Sequence, residues 1–190
     1  LGTFYTSATN LGNYVANNNG TIHLENGVLS KIISGDGTSG IYQGDVIVEG
    51  AIEIASPNGE IWADNLTIQN ITLTNNNNLG AKTLSNSGTI ANNSLLRLVS
   101  GTSSLGNISD TGHIEIGDGT LTGANVTANN AISQGYIQIF TNNTFNANAD
   151  NLVLSDSDAI RNAGSLNLSG GTLSTAISGG GTTSRDSSRK

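Results

Sequence analysis

The 190 residues carry a net charge of -7, only 11% charged side chains, 25 Gly, one Pro and no Cys or Met. The lack of Cys excludes a disulfide framework and a thiolate metal site, and a chain about half Asn, Ser, Thr and Gly is not a helical bundle. Seven basic residues cannot neutralise a row of phosphates, which argues against nucleic acid. No apolar run approaches the roughly 20 residues of a membrane-spanning helix, so no membrane insertion by this fragment is expected.

Residues 1–20, LGTFYTSATNLGNYVANNNG, depart from the pattern that follows and are expected to form an irregular first coil or cap. Because the chain opens on Leu1, it reads as a processed or excised piece of a longer protein. From residue 21 onward apolar residues alternate in short bursts: Ile22-His23-Leu24, Val46-Ile47-Val48, Ile52-Glu53-Ile54, Leu66-Thr67-Ile68 and Ile71-Thr72-Leu73. The series continues with Leu96-Arg97-Leu98, Ile114-Glu115-Ile116, Ile137-Gln138-Ile139, Leu152-Val153-Leu154 and Leu166-Asn167-Leu168. Each burst has two inward apolar positions flanking one outward residue, the period of a strand. Clusters of Gly, Asn, Asp and Ser between them supply turns.

Strands this short, recurring about every 20–24 residues, do not suit a sandwich, whose strands run to about 5–6 residues and pair as hairpins. They suit a coil that buries its apolar row only against its neighbours. The expectation is an all-β, right-handed parallel β-helix: a three-sided solenoid of about eight coils over residues 21–177. Asn75-Asn76-Asn77-Asn78, Asn92-Asn93, Asn129-Asn130 and Asn142-Asn143 fall between bursts, either as exposed loop residues or as amide ladders inside stacked corners. Residues 178–190, SGGGTTSRDSSRK, read as a flexible tail.

The runs IRNAGSLNLSGGTLSTAISGGGTT, from Ile160, and GNISDTGHIEIGDGTLTGANVTANNAI, from Gly106, resemble repeats of autotransporter passenger domains and of filamentous-haemagglutinin-like adhesins. Phe140-Thr141-Asn142-Asn143 and Phe145-Asn146-Ala147-Asn148 match an F-x-x-N element of the chlamydial polymorphic outer-membrane proteins, whose G-G-A-[ILV] companion is absent here. The resemblance implies an adhesin passenger, a rod at the bacterial cell surface or outside the cell, anchored by a barrel that this chain does not contain. Its implied partners are a host-cell surface protein or glycan, or like molecules on neighbouring cells, with weak self-association.

Two other readings share the fold class: a polysaccharide-processing enzyme of the pectate-lyase-like fold, and a trimeric phage or viral fibre segment. The enzyme would need facing carboxylates. Asp156 and Asp158 sit two apart, and Asp110, Glu115 and Asp118 surround His113. The elements that mark the pectin-cleaving enzymes are missing, and Lys31, Lys82, Arg97 and Arg161 are scattered, so no catalytic residue is assigned. His23 and His113 fall at outward strand positions, and Gly35-Asp36-Gly37 and Gly117-Asp118-Gly119 read as tight turns, so no metal or other cofactor is assigned either. N-x-S/T sequons begin at Asn19, Asn65, Asn70, Asn92, Asn107, Asn125, Asn142 and Asn167. The candidate ligand-stacking residues are Trp62, Tyr42 and Tyr136, whose rings suit a sugar face. For Trp62 the competing reading is a wide core position.

Overall fold

A strand turns successive side chains to opposite faces, so a burst of two inward apolar residues is a strand just long enough to fill one level of a core. The computed structural model describes residues 2–13 and 16–186 and realises this arrangement level by level. The chain is all-β with almost no helix, its parallel sheets forming a β-solenoid of about nine turns. Each full turn visits three faces in the same order.

The first face holds Thr3–Thr6, Thr21–Leu24, Asp45–Val48, the second halves of Glu60–Ile68 and Asn78–Asn86, then Thr102–Leu105, Asn125–Ala128, Thr144–Asn148, Ser165–Ser169 and Thr182–Asp186. The second face holds Gly27–Leu29, Ile52–Ile54, Thr72–Asn75, Thr89–Asn92, Asn107–Ser109, Ile132–Gln134 and Leu152–Leu154. The third runs from Ala16–Asn17 and Ile32–Ser34 through the first halves of the two long strands to Leu95–Leu98, His113–Ile116, Tyr136–Ile139, Ile160–Asn162 and Ile177–Ser178. Glu60–Ile68 and Asn78–Asn86 bend round the corner between the third and first faces. Asp64 and Lys82 sit at those bends, 2.5 Å apart as an ion pair.

The core is a set of vertical columns. On the third face Ile33, Ile61, Leu79, Leu96, Ile114, Ile137 and Ile160 stack in register, and each is fully buried. On the first face Val46, Leu66 and Leu84, then Val126, Phe145 and Leu166, do the same on either side of buried Ser103, whose hydroxyl accepts the Leu84 N–H. Apolar surface is removed from water only because the next turn covers it.

Asparagine marks the corners in two ways. At Asn18, Asn86 and Asn162 the side-chain oxygen accepts the backbone N–H of the glycine two residues on, closing a turn. At Asn75 and Asn92 the amides point inward and form a buried ladder. Asn75 donates to Asn92 at 2.7 Å, and Asn92 donates to Gln134 at 2.5 Å. Gln134 ends the ladder by donating to the Ser109 carbonyl at 2.7 Å. Of the clusters singled out in the sequence, Asn75, Asn92 and Asn143 are buried, whereas Asn129 and Asn130 are exposed.

Measured along the first face, coil lengths vary from 17 residues (Ser165 to Thr182) to 24 (Thr21 to Asp45), because loops leave the corners while the strands keep register. Over residues 21–177 the first face holds eight strands, as expected, and Thr3–Thr6 and Thr182–Asp186 at the two ends bring the whole solenoid to about nine turns. The flexible tail expected from residue 178 is corrected in part. Thr182–Asp186 is a strand on the first face, paired with Ser165–Ser169, because its backbone satisfies the open edge of that strand. Residues 187–190, also expected to be flexible, lie outside the described residues. At the other end Thr3–Thr6 pairs with Thr21–Leu24, and a short 3-10 turn covers Asn10–Asn13.

Replacing Asn92 with Ala strands Asn75 and Gln134 inside the ladder and is expected to cost about 1–3 kcal/mol. The side chain of the neighbouring Asn93 is exposed and donates to Asn76, so Asn93→Ala is expected to stay within about 0.5 kcal/mol. Urea unfolding of the two variants checks the difference; equal midpoints would remove the internal ladder from the account of stability.

Candidate functional site

The outward side of the third face gathers Trp62, His113 and Tyr136 with the Arg97–Glu115 and Arg161–Asp158 ion pairs. One column reads Ile32, Glu60, Asn78, Leu95, His113, Tyr136; the other reads Ser34, Trp62, Gly80, Arg97, Glu115, Gln138, Arg161. Two loops leave the corner beside it. Residues 35–44 join Ile32–Ser34 to Asp45–Val48, and residues 117–124 join His113–Ile116 to Asn125–Ala128. Both open with Gly-Asp-Gly-Thr, and in both the aspartate oxygen accepts the N–H of the threonine two residues on, each at 2.8 Å. Gly37, Gly40 and Gly44 in one loop and Gly117, Gly119 and Gly123 in the other have positive φ, which lets the backbone reverse tightly.

Trp62 is buried on the outside of the coil. It is 2% exposed and lies apart from the apolar core cluster, while its neighbour Ile61 fills the core. Its indole N–H donates to Glu60 Oε2 at 2.6 Å, and Asn78 donates to Glu60 Oε1 at 2.8 Å. Gly80 lies under the ring, where a Cβ would fall 2.3 Å from a ring carbon. Tyr42, from the 35–44 loop, meets Trp62 edge-on with centroids 5.4 Å apart. The Tyr42 hydroxyl is buried without a hydrogen bond of normal geometry. Burial pushes its pKa up to about 12, partly offset by the Arg97 charge.

Arg97 is the hub of the next turns. Its Nε and Nη2 both lie 2.6 Å from Glu115 Oε2. Burial works against the guanidinium charge, but Glu115 outweighs it and raises the Arg97 pKa further. Asp118, in the second loop, is desolvated. Hydrogen bonds from the Leu121 N–H and from the Thr120 N–H and hydroxyl nevertheless hold its carboxyl below the usual range, and Arg97 adds to this. The 35–44 and 117–124 loops thus converge on one cation.

Tyr136 is held between two neighbours. His113 of the preceding turn stacks on it at 4.6 Å, and the Arg161 guanidinium of the following turn lies 4.0 Å from its centroid. Burial lowers the His113 pKa; Arg97 and Arg161 lower it further, against Glu115 and Asp156.

The three expected stacking residues therefore share a face, but Trp62 and Tyr136 do not offer a free ring. Trp62 is covered by Tyr42 and by the glycine strand beside it, and Tyr136 is covered by His113 and Arg161. The expected sugar-stacking role is corrected for both, and so is the core position weighed for Trp62. Tyr42 keeps its ring against Trp62 with its hydroxyl inside. The sequence did not point to Arg97, Glu60 or the convergence of the loops; the doubled Gly-Asp-Gly-Thr was the available signal.

The carboxylates weighed for catalysis are not gathered. Asp158 pairs with Arg161 at 3.2 Å, Glu115 with Arg97, and Asp110 sits at a positive-φ turn. His23 stacks on Tyr5 at 4.2 Å and bonds Glu49 at 2.8 Å. Among the described residues no group of three or more His, Asp or Glu is placed to hold a metal ion, and no helix is long and apolar enough to cross a membrane. The Asn92 sequon is internal, with Asn92 fully buried. No protein-family model, curated protein or solved structure matches the chain.

Tyr42 ionises less readily when folded than at its ordinary value of 10.0. Its contribution to stability is therefore complete below pH 10 and is lost as pH rises toward about 12. Tyr42→Phe is expected to flatten that alkaline loss, measured by urea unfolding across the window. An unchanged slope would show that the hydroxyl is not buried. Tyr42→Ala is expected to shift the emission of Trp62, the one tryptophan, to longer wavelength as water reaches the ring.

His113 has the opposite sign. Its pKa is lowered from 6.5, so the stability it contributes is complete above that value and declines as pH falls below it. His113→Gln is expected to reduce this acid-side slope, and a slope identical to the parent's would contradict the burial of His113 against Tyr136.

Proposed function

We propose that the chain is a rod of a secreted or surface-displayed adhesin passenger that binds through the loop-bearing corner of its third face. The single observation that carries this reading is the pair of Gly-Asp-Gly-Thr loops leaving the same corner, each with an exposed apolar residue. Ile41 is 44% exposed and Leu121 is 38% exposed, over a base of ion-paired Arg97 and Glu115. Loops on a rigid scaffold are where binding residues concentrate. A rim of charge around exposed apolar side chains is the composition of a protein-binding patch. The partner under this reading is a host-cell surface protein or glycan, or a like molecule on a neighbouring cell. The rod stands outside the cell, held by a barrel beyond this chain.

The test is saturable binding of the labelled chain to host cells, with glycosidase-treated cells in parallel. Ile41→Asp and Leu121→Asp alter exposed positions, so the fold is expected to survive while binding weakens at least tenfold, with the larger loss in the double variant. Binding that is saturable but indifferent to both substitutions would move the site off this corner. Absence of binding to any cell or to like-coated beads would sink the adhesin reading.

A further inference from the structure

The first face carries a surface of a different kind. From Asn65 to Ser184 every outward strand position is Asn, Thr or Ser, over seven successive turns. Two columns run side by side: one from Asn65 to Thr182, the other from Thr67 to Ser184. None of these positions holds a charge or a ring. The array stops at the turns before it, where Asp45, Ile47 and His23 occupy the same columns.

Side-chain hydrogen bonds tie six of the fourteen positions to one another. Thr83 donates to Asn65 at 2.6 Å, Asn146 to Asn125 at 2.8 Å, Asn167 to Asn146 at 2.9 Å and Ser184 to Asn167 at 2.6 Å. Rotamers pinned to one another have already lost the freedom that binding would otherwise cost. The repeat is set by the backbone: about 4.7–4.9 Å between turns, and about 6.6–6.8 Å between alternate residues along a strand. The result is a flat two-dimensional lattice of neutral hydroxyl and amide groups with fixed spacing.

We infer that this face binds an ordered lattice of water, the surface of ice. Charge complementarity selects the occupant. A neutral array has nothing for an anionic polymer or a phosphate to pair with. A polysaccharide sheet would call for rings to stack on, and the columns hold none. Short hydroxyl and amide side chains hold water by hydrogen bonds at little entropic cost when the water is already ordered. Both spacings lie near oxygen–oxygen repeats on surface planes of hexagonal ice. The surface is separate from the loop-bearing corner, so the inference does not depend on the adhesin reading.

The test freezes a dilute solution of the purified full chain slowly around a seed crystal and compares its content in ice and liquid with that of an inert labelled protein. The chain is expected to enter the ice at a fraction at least fivefold above the inert protein, and to halt recrystallisation of a polycrystalline film. Thr127→Tyr, at the centre of the array, is expected to abolish the enrichment. Ser133→Tyr, on the exposed side of the second face, is expected to leave it unchanged, with circular dichroism confirming the fold of both. Exclusion from ice at the level of the inert protein overturns the inference. So does enrichment that survives Thr127→Tyr, binding to cellulose or chitin particles without binding to ice, or a dimer in sedimentation that Thr127→Tyr dissolves.

Discussion

Vertical register is the constraint on which the rest of this molecule depends. Parallel pairing places each residue directly over its counterpart in the next turn, so an inward position stays inward at every turn and takes an apolar side chain or a buried, hydrogen-bonded Ser or Asn such as Ser103, Asn75 or Asn162. A slip of one residue would turn Ile114, stacked between Leu96 and Ile137, outward and bring Glu115 into the core. The penalty for burying that carboxylate away from Arg97 is several kilocalories per mole, which fixes the register more firmly than any single backbone bond. The short strands are enough because the columns, and not the strands, are the units of burial. Lost loops or added loops change nothing in a column, which is why coils of 17 and 24 residues coexist.

Register also explains how much of the fold was legible in the sequence. A burst such as Leu96-Arg97-Leu98 states its own inside and outside, and the spacing of bursts states the coil. What the alternation does not state is what happens to an outward residue afterwards. Trp62 alternates with Ile61 and so faces out, yet the 35–44 loop lays Tyr42 against it and Gly80 leaves room for the ring. Tyr136 is taken up by residues 23 positions before it and 25 after it, His113 and Arg161, a relation visible only once the turns are stacked. The tail was misread for a related reason. Thr182–Asp186 has no buried side chain and therefore no apolar signature, and it is held by backbone pairing with Ser165–Ser169 and by hydrogen bonds with Asn162 and Asn167.

The corners carry the polar cost of this design. A sharp turn buries amide groups that the ladder cannot satisfy, and asparagine answers with an acceptor and two donors in one short side chain. Asn162 accepts from the Gly164 N–H and donates to the Thr182 carbonyl, tying one corner to the next turn. At another corner Asn75 accepts from the Asn77 N–H and donates to the Leu95 carbonyl, Asn92 donates to the His113 carbonyl, and Asn75 also donates to Asn92. Glycine then follows where a Cβ would strike the turn below, as at Gly88 and Gly164. The Asn-Gly bias that looked like low complexity is thus the chemical signature of repeated corners.

Since inward columns and corners determine the fold, the outward columns are free to diverge, and here each face has done so. The third face concentrates rings and ion pairs and is roofed at one edge by two loops. The second carries Thr74, Ala91, Ser109 and Ser133 along its outward row, with Val153 65% exposed at its end. The first is a neutral lattice of Asn, Thr and Ser over seven turns. Chance alone in a chain so rich in these residues would still admit an occasional Lys, Glu or Ile among fourteen outward positions, as the columns do at Asp45 and Ile47 just before the lattice begins. The uniformity therefore needs a cause beyond the fold, since the backbone ladder tolerates Arg97 and Glu115 at equivalent outward positions of the third face. A ligand that presents the same spacing at every turn supplies one, because each charged or bulky intruder would break contact along the whole plane.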